Sequence, residues 1–229
     1  MNAKPKAAAA RQKRIVIIDD HPMMREGLTQ LIGGQPDLAV CGEAGDAAEG
    51  LAKVRETAPD IVLADITLPG RNGLELIKDL QAMAPEVAVL VLSMHDESLY
   101  AERVLRAGGR GYIMKQEGGK RILEAIRQVA EGRIFLSQKM SALILESFSG
   151  HRAGGGDSGV GALTDREFEV FHLIGQGLSA KEMAKKLNLS AKTVDVHRAN
   201  IKAKLKLRSV GELIRYAVRW SESEGGGGK

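Results

Sequence analysis

The chain has 229 residues, a formal net charge of +4, 44% hydrophobic residues and only 3% aromatic ones. Its core must therefore be built from Ala, Val, Ile, Leu and Met, which suits helices packed on a parallel sheet. A single cysteine, Cys41, excludes an intramolecular disulfide and a cysteine-based zinc site; it reads as a small buried apolar residue in a reducing compartment. No apolar run has the length of a membrane span, and the start MNAKPKAAAARQKR lacks the Leu/Val-rich stretch of a secretory signal. A cytoplasmic protein with no membrane partner is expected.

From Arg14 onward, short apolar runs alternate with longer periodic ones: RIVIID then 23–33, LAVCGE then 46–57, IVLAD then 73–83, VAVLVLS then 96–107, GYIMK then 118–131. Strands so continuously apolar are buried on both faces, and five such βα units predict a doubly wound, five-stranded parallel sheet in an α/β domain. A further helix is expected over 137–148, before the Gly- and Ser-rich SGHRAGGGDSGVG, whose composition suits a flexible tether. Four helices follow at 164–176, 179–187, 191–206 and 209–220, with Thr164, Ser179, Ser190 and Ser209 as N-caps and a capping box from Thr164 to Glu167. The expected division is a disordered tail at 1–13, an α/β domain at 14–135, a helix and linker at 136–161, an all-α four-helix domain at 162–220 and a disordered tail at 221–229.

Charge divides along the same line. Residues 14–136 carry 14 Lys/Arg against 19 Asp/Glu, whereas residues 163–220 carry 12 against 6. A basic terminal domain is the electrostatic footprint of a nucleic-acid binder, and an acidic neighbour suggests that it masks the basic surface at rest.

In a doubly wound sheet the functional crevice lies beyond the carboxyl ends of the strands. Those ends bring Asp19 and Asp20, Asp65, Ser93 and Lys115 together. Three close carboxylates repel one another unless a cation intervenes, and an all-oxygen set with room for water suits Mg²⁺.

The ordered motifs IDDHP, ADITLPGRNG, VLSMHDE and GYIMK resemble the receiver domain of two-component response regulators over residues 14–135. That resemblance implies a flavodoxin-like fold and a phosphoacceptor, Asp65, that takes its phosphoryl group from a histidine kinase. It implies that Asp20, Asp65 and the backbone carbonyl of Thr67 hold Mg²⁺, with Asp19 acting through a bound water. Lys115 and Ser93 would pair with phosphoryl oxygens, and Tyr112 would swing inward as the switch. Ser93 stands where Thr is frequent, and Gln116 where many receivers have proline.

Residues 179–208 hold nine Lys/Arg against two acids and break at NLS between two helical stretches, the spacing of a helix-turn-helix. In the second stretch Val194, Ile201 and Leu205 form one stripe, which turns Lys192, Val196, Ala199 and Ala203 outward. Residues 162–220 resemble the LuxR-type DNA-binding domain, and 191–206 would be its recognition helix. The resemblance makes Thr193, Lys186, Lys202 and Arg198 candidate phosphate contacts, and places Lys192, Asp195, Val196 and Ala199 where base edges are met. Asp195 repels DNA unless it accepts from a cytosine amine or is held back by Arg198. His197 reads as a structural histidine, and Glu167 and Lys181 as internal partners.

The whole chain resembles the NarL/FixJ group of response regulators, which implies a transcription regulator that binds double-stranded DNA, dimerises on phosphorylation and turns over no external substrate. Two alternatives stand beside it. An aspartyl-phosphate phosphohydrolase would want an acid where Thr67 stands, and a ligand- or partner-sensing regulator would need no nucleophile.

Overall fold

The computed structural model describes residues 11–69, 71–148 and 159–225. Most of the expected tail at 1–13 and tether, and the last four residues, lie outside them. The α/β half alternates as read from the sequence: β1 (Lys13–Ile18), α1 (Pro22–Gly33), β2 (Leu38–Ala44), α2 (Ala47–Thr57), β3 (Ile61–Ala64), α3 (Gly73–Met83), β4 (Ala88–Ser93), α4 (Glu97–Arg106), β5 (Gly111–Met114) and α5 (Gly119–Ala130). Helix α6 (Gln138–Phe148) follows. After a 3₁₀ turn at Gly159–Ala162 come α7 (Asp165–Gly175), α8 (Ala180–Lys186), α9 (Ala191–Lys204) and α10 (Val210–Gly225).

All strand pairs are parallel, and the sheet order is β2-β1-β3-β4-β5. Side chains alternate across the pleat. Ile15 and Ile17 face Leu28 and Ile32 of α1 and Ile126 of α5, while Val16 and Ile18 join the opposite layer with Ile77, Leu80 and Val104. Both faces are thereby covered, which is why the strands can be apolar throughout. Cys41 is half-buried rather than fully buried, its thiol directed at the Ile15 carbonyl.

Caps set most helix starts. Asp46, Asn72 and Asp96 accept backbone N–H groups at the N-termini of α2, α3 and α4. Thr164 and Ser179 each complete a capping box, and Ser190 accepts from the Thr193 amide. Ser209 also accepts from the Glu212 amide. Helix α10 runs to Gly225, beyond the expected end at 220, because Ser-Glu-Ser-Glu offers no breaker before that glycine.

The sequence of reversal in the sheet order places a crevice between β1 and β3, where consecutive connections leave on opposite faces. Asp65 follows β3, and its amide donates to the Ile18 carbonyl at 2.8 Å. The chain then turns tightly into α3: a Cβ on Gly73 would stand 2.6 Å from both the Asp65 carbonyl oxygen and Ile66 Cα. Both obstacles are backbone and cannot rotate away. Gly73→Ala is expected to destabilise the fold by about 1–3 kcal/mol, and a urea midpoint unchanged from wild type would contradict this close approach.

Candidate functional site

Asp19 and Asp65 extend from neighbouring strands and are 2% and 4% exposed. Lys115, whose amide donates to the Ser93 carbonyl, reaches back between them. Its Nζ lies 2.5 Å from Asp19 Oδ2 and 2.7 Å from Asp65 Oδ2, and its side chain is almost fully buried. Burial raises the pKa of Asp65 against the opposing pull of Lys115 and the Thr67 amide. Burial disfavours the ammonium of Lys115, but the two carboxylates outweigh it and the net shift is upward.

Asp20 stands at the rim beside them. Its Oδ1 is occluded and accepts no hydrogen bond, although His21 Nδ1 lies 2.7 Å away. Ligand atoms of Asp19, Asp20, His21 and Asp65 all lie within 4.8 Å of one another. Oxygen donors of this number, one with lone pairs unspent, fit a hard divalent cation. Thr67 donates its amide to Asp65 Oδ1 at 3.0 Å. Ser93, fully buried, accepts the His95 amide at 3.1 Å. All the receiver residues singled out from the sequence thus converge on this crevice or its wall.

Tyr112 is already turned inward. It is 1% exposed and its hydroxyl donates to the His95 carbonyl at 2.8 Å, and burial pushes its phenol pKa well up. Three neighbours escaped the sequence reading. His21 approaches Asp19 and Asp20, Arg25 donates to the Asp19 carbonyl at 2.5 Å, and His95 faces the Thr67 hydroxyl at 3.1 Å. His21 and His95 lie inside the quoted motifs, so adjacency was the available signal; Arg25 sits a helical turn into α1 and gave none.

The second site is α9. Val194 and Ile201 are fully buried, while Val196 is 52% exposed and Lys192, Asp195, Ala199 and Ala203 are exposed with it. Asn188, at φ 51, makes the tight turn after α8, where Asn tolerates the left-handed region. Arg198 lies 3.5 Å from Asp195, close enough for charge attraction though long for a hydrogen bond. Thr193 Oγ1 is engaged with Ser190 Oγ at 2.8 Å, Lys202 is half-buried and Lys186 is exposed. His197 is half-buried, and burial lowers its pKa.

Two expectations need correction. Glu167 is an internal partner, 2.6 Å from Lys204, but Lys181 is exposed, because the first turn of α8 faces solvent. Nor does the acidic half mask the recognition helix. The outward residues of α9 stay exposed, since the two halves meet through α4 and α7.

The receiver family (Response regulator receiver domain) matches residues 15–127, and the family of bacterial regulatory proteins, luxR family, matches residues 161–217. The chain belongs to the response regulators that join these two domains, and it is a two-component, DNA-binding transcription regulator. Among its relatives is the oxygen regulatory protein NreC of Staphylococcus haemolyticus, 35% identical over 210 residues that cover 90% of this chain and 97% of that protein. NreC of Staphylococcus aureus strain MRSA252 is 36% identical with the same coverage. A LuxR-family response regulator from Aurantimonas sp. SI85-9A1 is 36% identical, with a TM-score of 0.56 over 60% of this chain and 99% of its own. RcsB of Salmonella typhimurium, at 23% identity and a TM-score of 0.64 over 91% of this chain and 98% of its own, shares the fold. No helix among the described residues is long and apolar enough to cross a membrane.

Removing the buried ammonium would leave Asp19 and Asp65 uncompensated. Lys115→Met is expected to destabilise the protein by about 3–5 kcal/mol at neutral pH without divalent cations. The carboxyl of Asp65 already sits above its ordinary 3.8 and would rise further. An acid raised in the folded state penalises folding at pH above its unfolded value, so the deficit should shrink as pH falls toward 4. Urea unfolding at both pH values measures it, and an equal deficit would argue against this charge balance.

Proposed function

We propose that Asp65 is the phosphoacceptor of a phosphorelay and that its modification controls dimerisation and promoter binding. The observation that carries this reading is the Lys115 ammonium shared by Asp65 and Asp19 beside Asp20. A nucleophilic carboxylate, a cation to follow the transferred charge and further carboxylates for a metal stand together at the end of a parallel sheet.

In this reading an Asp65 oxygen attacks the phosphorus of a phosphohistidine on a sensor kinase. The P–O bond forms as the bond to the imidazole nitrogen breaks, leaving an acyl phosphate. Asp20, Asp65 and the Thr67 carbonyl would hold Mg²⁺, with Asp19 joined through water; the ion supplies charge neutralisation at the phosphoryl oxygens. Lys115 exchanges its contact with Asp65 for a phosphoryl oxygen. Ser93, whose hydroxyl proton is not needed for the bond it accepts from His95, donates to another. Tyr112 packs behind Ser93 and holds the loop through the His95 carbonyl. The site is a switch and not a turnover centre.

The output would be a symmetric pair of α9 helices on paired half-sites, because one short helix buries little DNA surface. Lys192, Asp195, Val196 and Ala199 face base edges, and Lys186, Thr193, Arg198 and Lys202 approach phosphates. Intact mass after incubation with a small phosphoryl donor should show one Mg²⁺-dependent adduct that Asp65→Asn abolishes, accompanied by a shift to dimer on gel filtration. A folded wild type without an adduct, or DNA binding by an unchanged monomer, would defeat the proposal. Equal regulation by Asp65→Asn would favour ligand or partner sensing without phosphate.

For DNA, Lys202→Ala should weaken binding about equally across sequences and lower the salt slope by about 1. Lys192→Ala should change base preference. Titrations on several sequences and salt concentrations separate the two, and a sequence-selective loss in Lys202→Ala would contradict its placement on phosphate.

A further inference from the structure

The loop between β1 and α1 carries Asp19 and Asp20, and its shape is held through Asp19. The Asp19 amide donates to the Ala44 carbonyl at 3.1 Å. Its Oδ1 accepts the His21 amide at 2.9 Å, and its Oδ2 meets Lys115. The group that remains, its carbonyl, accepts from Arg25 Nη1 at 2.5 Å. Asp20 Oδ1, by contrast, is occluded and accepts no hydrogen bond, with His21 Nδ1 2.7 Å away.

The Asp19 carbonyl is a handle on the residue that follows it. Its C=O and the Asp20 N–H share one rigid peptide plane, so the bond from Arg25 sets the direction in which Asp20 leaves that plane. Arg25 stands on a firm base. Pro22 occupies the start of α1, where its fixed φ suits a first helical turn, and the Arg25 amide donates to the His21 carbonyl at 3.2 Å within that turn. His21, the N-cap, offers the helix no side-chain bond. Arg25 thus supplies the side-chain tie between helix and loop that the cap omits.

Its other partner does not account for this arginine as well. The ion pair to Glu43 Oε2 is long, at 3.9 Å, and Glu43 Oε1 accepts from Thr29 Oγ1 at 2.9 Å. The bond to the Asp19 carbonyl is short and charge-assisted, the stronger kind of hydrogen bond. By charge alone, a guanidinium beside a cation site works against the cation. Its benefit to the site has to be geometric.

We propose that Arg25 is a positioning residue for the divalent cation: by gripping the Asp19 carbonyl it holds the Asp19–Asp20 peptide so that the unspent Asp20 Oδ1 faces the ligand atoms of Asp19 and Asp65, all within 4.8 Å. The inference rests on the reading in which Asp20 and Asp65 hold the ion that assists phosphoryl transfer. The loop is then in its ion-binding shape before the ion arrives, and binding does not have to order it. Arg25 acts through Asp19 and Asp20 and touches neither the ion nor the phosphoryl group.

The test uses the full chain and reads the ion itself. Mn²⁺ replaces Mg²⁺, because free Mn²⁺ is measured directly by electron paramagnetic resonance, and wild type, Arg25→Met, Arg25→Lys and Glu43→Gln are titrated. Arg25→Met should bind Mn²⁺ about 10-fold more weakly, the lower end of the range for losing a group that orients a metal ligand. Arg25→Lys returns a charged donor and should recover part of that loss, whereas Glu43→Gln, which removes only a long surface ion pair, should stay within about twofold of wild type. With acetyl phosphate as donor, the Mg²⁺ concentration that gives half the maximal rate of adduct formation should rise by the same factor of about 10 in Arg25→Met, and the rate at saturating Mg²⁺ should change far less. An arginine with a merely structural role would lower the urea midpoint and leave both metal constants where they are. Equal or tighter Mn²⁺ binding by folded Arg25→Met, or an equal loss in Glu43→Gln, overturns the inference; a Mg²⁺-dependent adduct on wild type then leaves the phosphoacceptor reading intact. A wild type that binds no Mn²⁺ overturns it as well, and the adduct alone decides the reading of Asp65. Should Arg25→Met fail to fold, Arg25→Gln, shorter by two bonds and uncharged, takes its place with the same expected loss.

Discussion

A buried ammonium between two buried carboxylates is the constraint around which the α/β half is arranged. Lys115 carries its charge to Asp19 and Asp65 at 2.5 and 2.7 Å, and none of the three could be left in this crevice alone. Taking an ion out of water costs several kcal/mol, and only close opposite charge offsets it. The two carboxylates repel each other, and the ammonium they share offsets that repulsion.

The architecture delivers those charges without spending core volume on them. Parallel strands end on one edge of the sheet, and in the order β2-β1-β3-β4-β5 the ends of β1 and β3 are adjacent. Residues 46 positions apart, Asp19 and Asp65, become neighbours through register alone. Behind them the sheet is sealed by Ile15, Ile17, Val62 and Leu90, all within 1% of complete burial. The low effective dielectric they create keeps the interactions at the crevice strong.

Much of this was legible along the chain. Apolar runs of four to seven residues between amphipathic stretches located every strand, and side-chain caps at Asp46, Asn72, Asp96, Thr164, Ser179 and Ser190 are local hydrogen-bonding choices made within three residues. The carboxylates, Ser93 and Lys115 were legible because a doubly wound sheet has one functional edge. The outward face of α9 followed from period alone. His95 was visible only as part of a motif, since nothing in its spacing announces an imidazole meeting Thr67 on one side and His172 on the other.

The sequence by itself determined the order of elements, the polarity of the sheet, the five groups at its carboxyl edge and the helix-turn-helix, because these depend on periodicity, capping and chain connectivity over short range. Tertiary structure alone decided how the halves meet. Arg103 finds Val160, Leu163 and Asp165 about sixty positions away, and Asn72 finds Glu169 at a separation of 97. Such pairings are chosen by the shape and charge of two folded surfaces, and no local preference encodes them. The open face of α9 is settled at that level too: the acidic half had charge enough to cover it, but packing put α7 in the way.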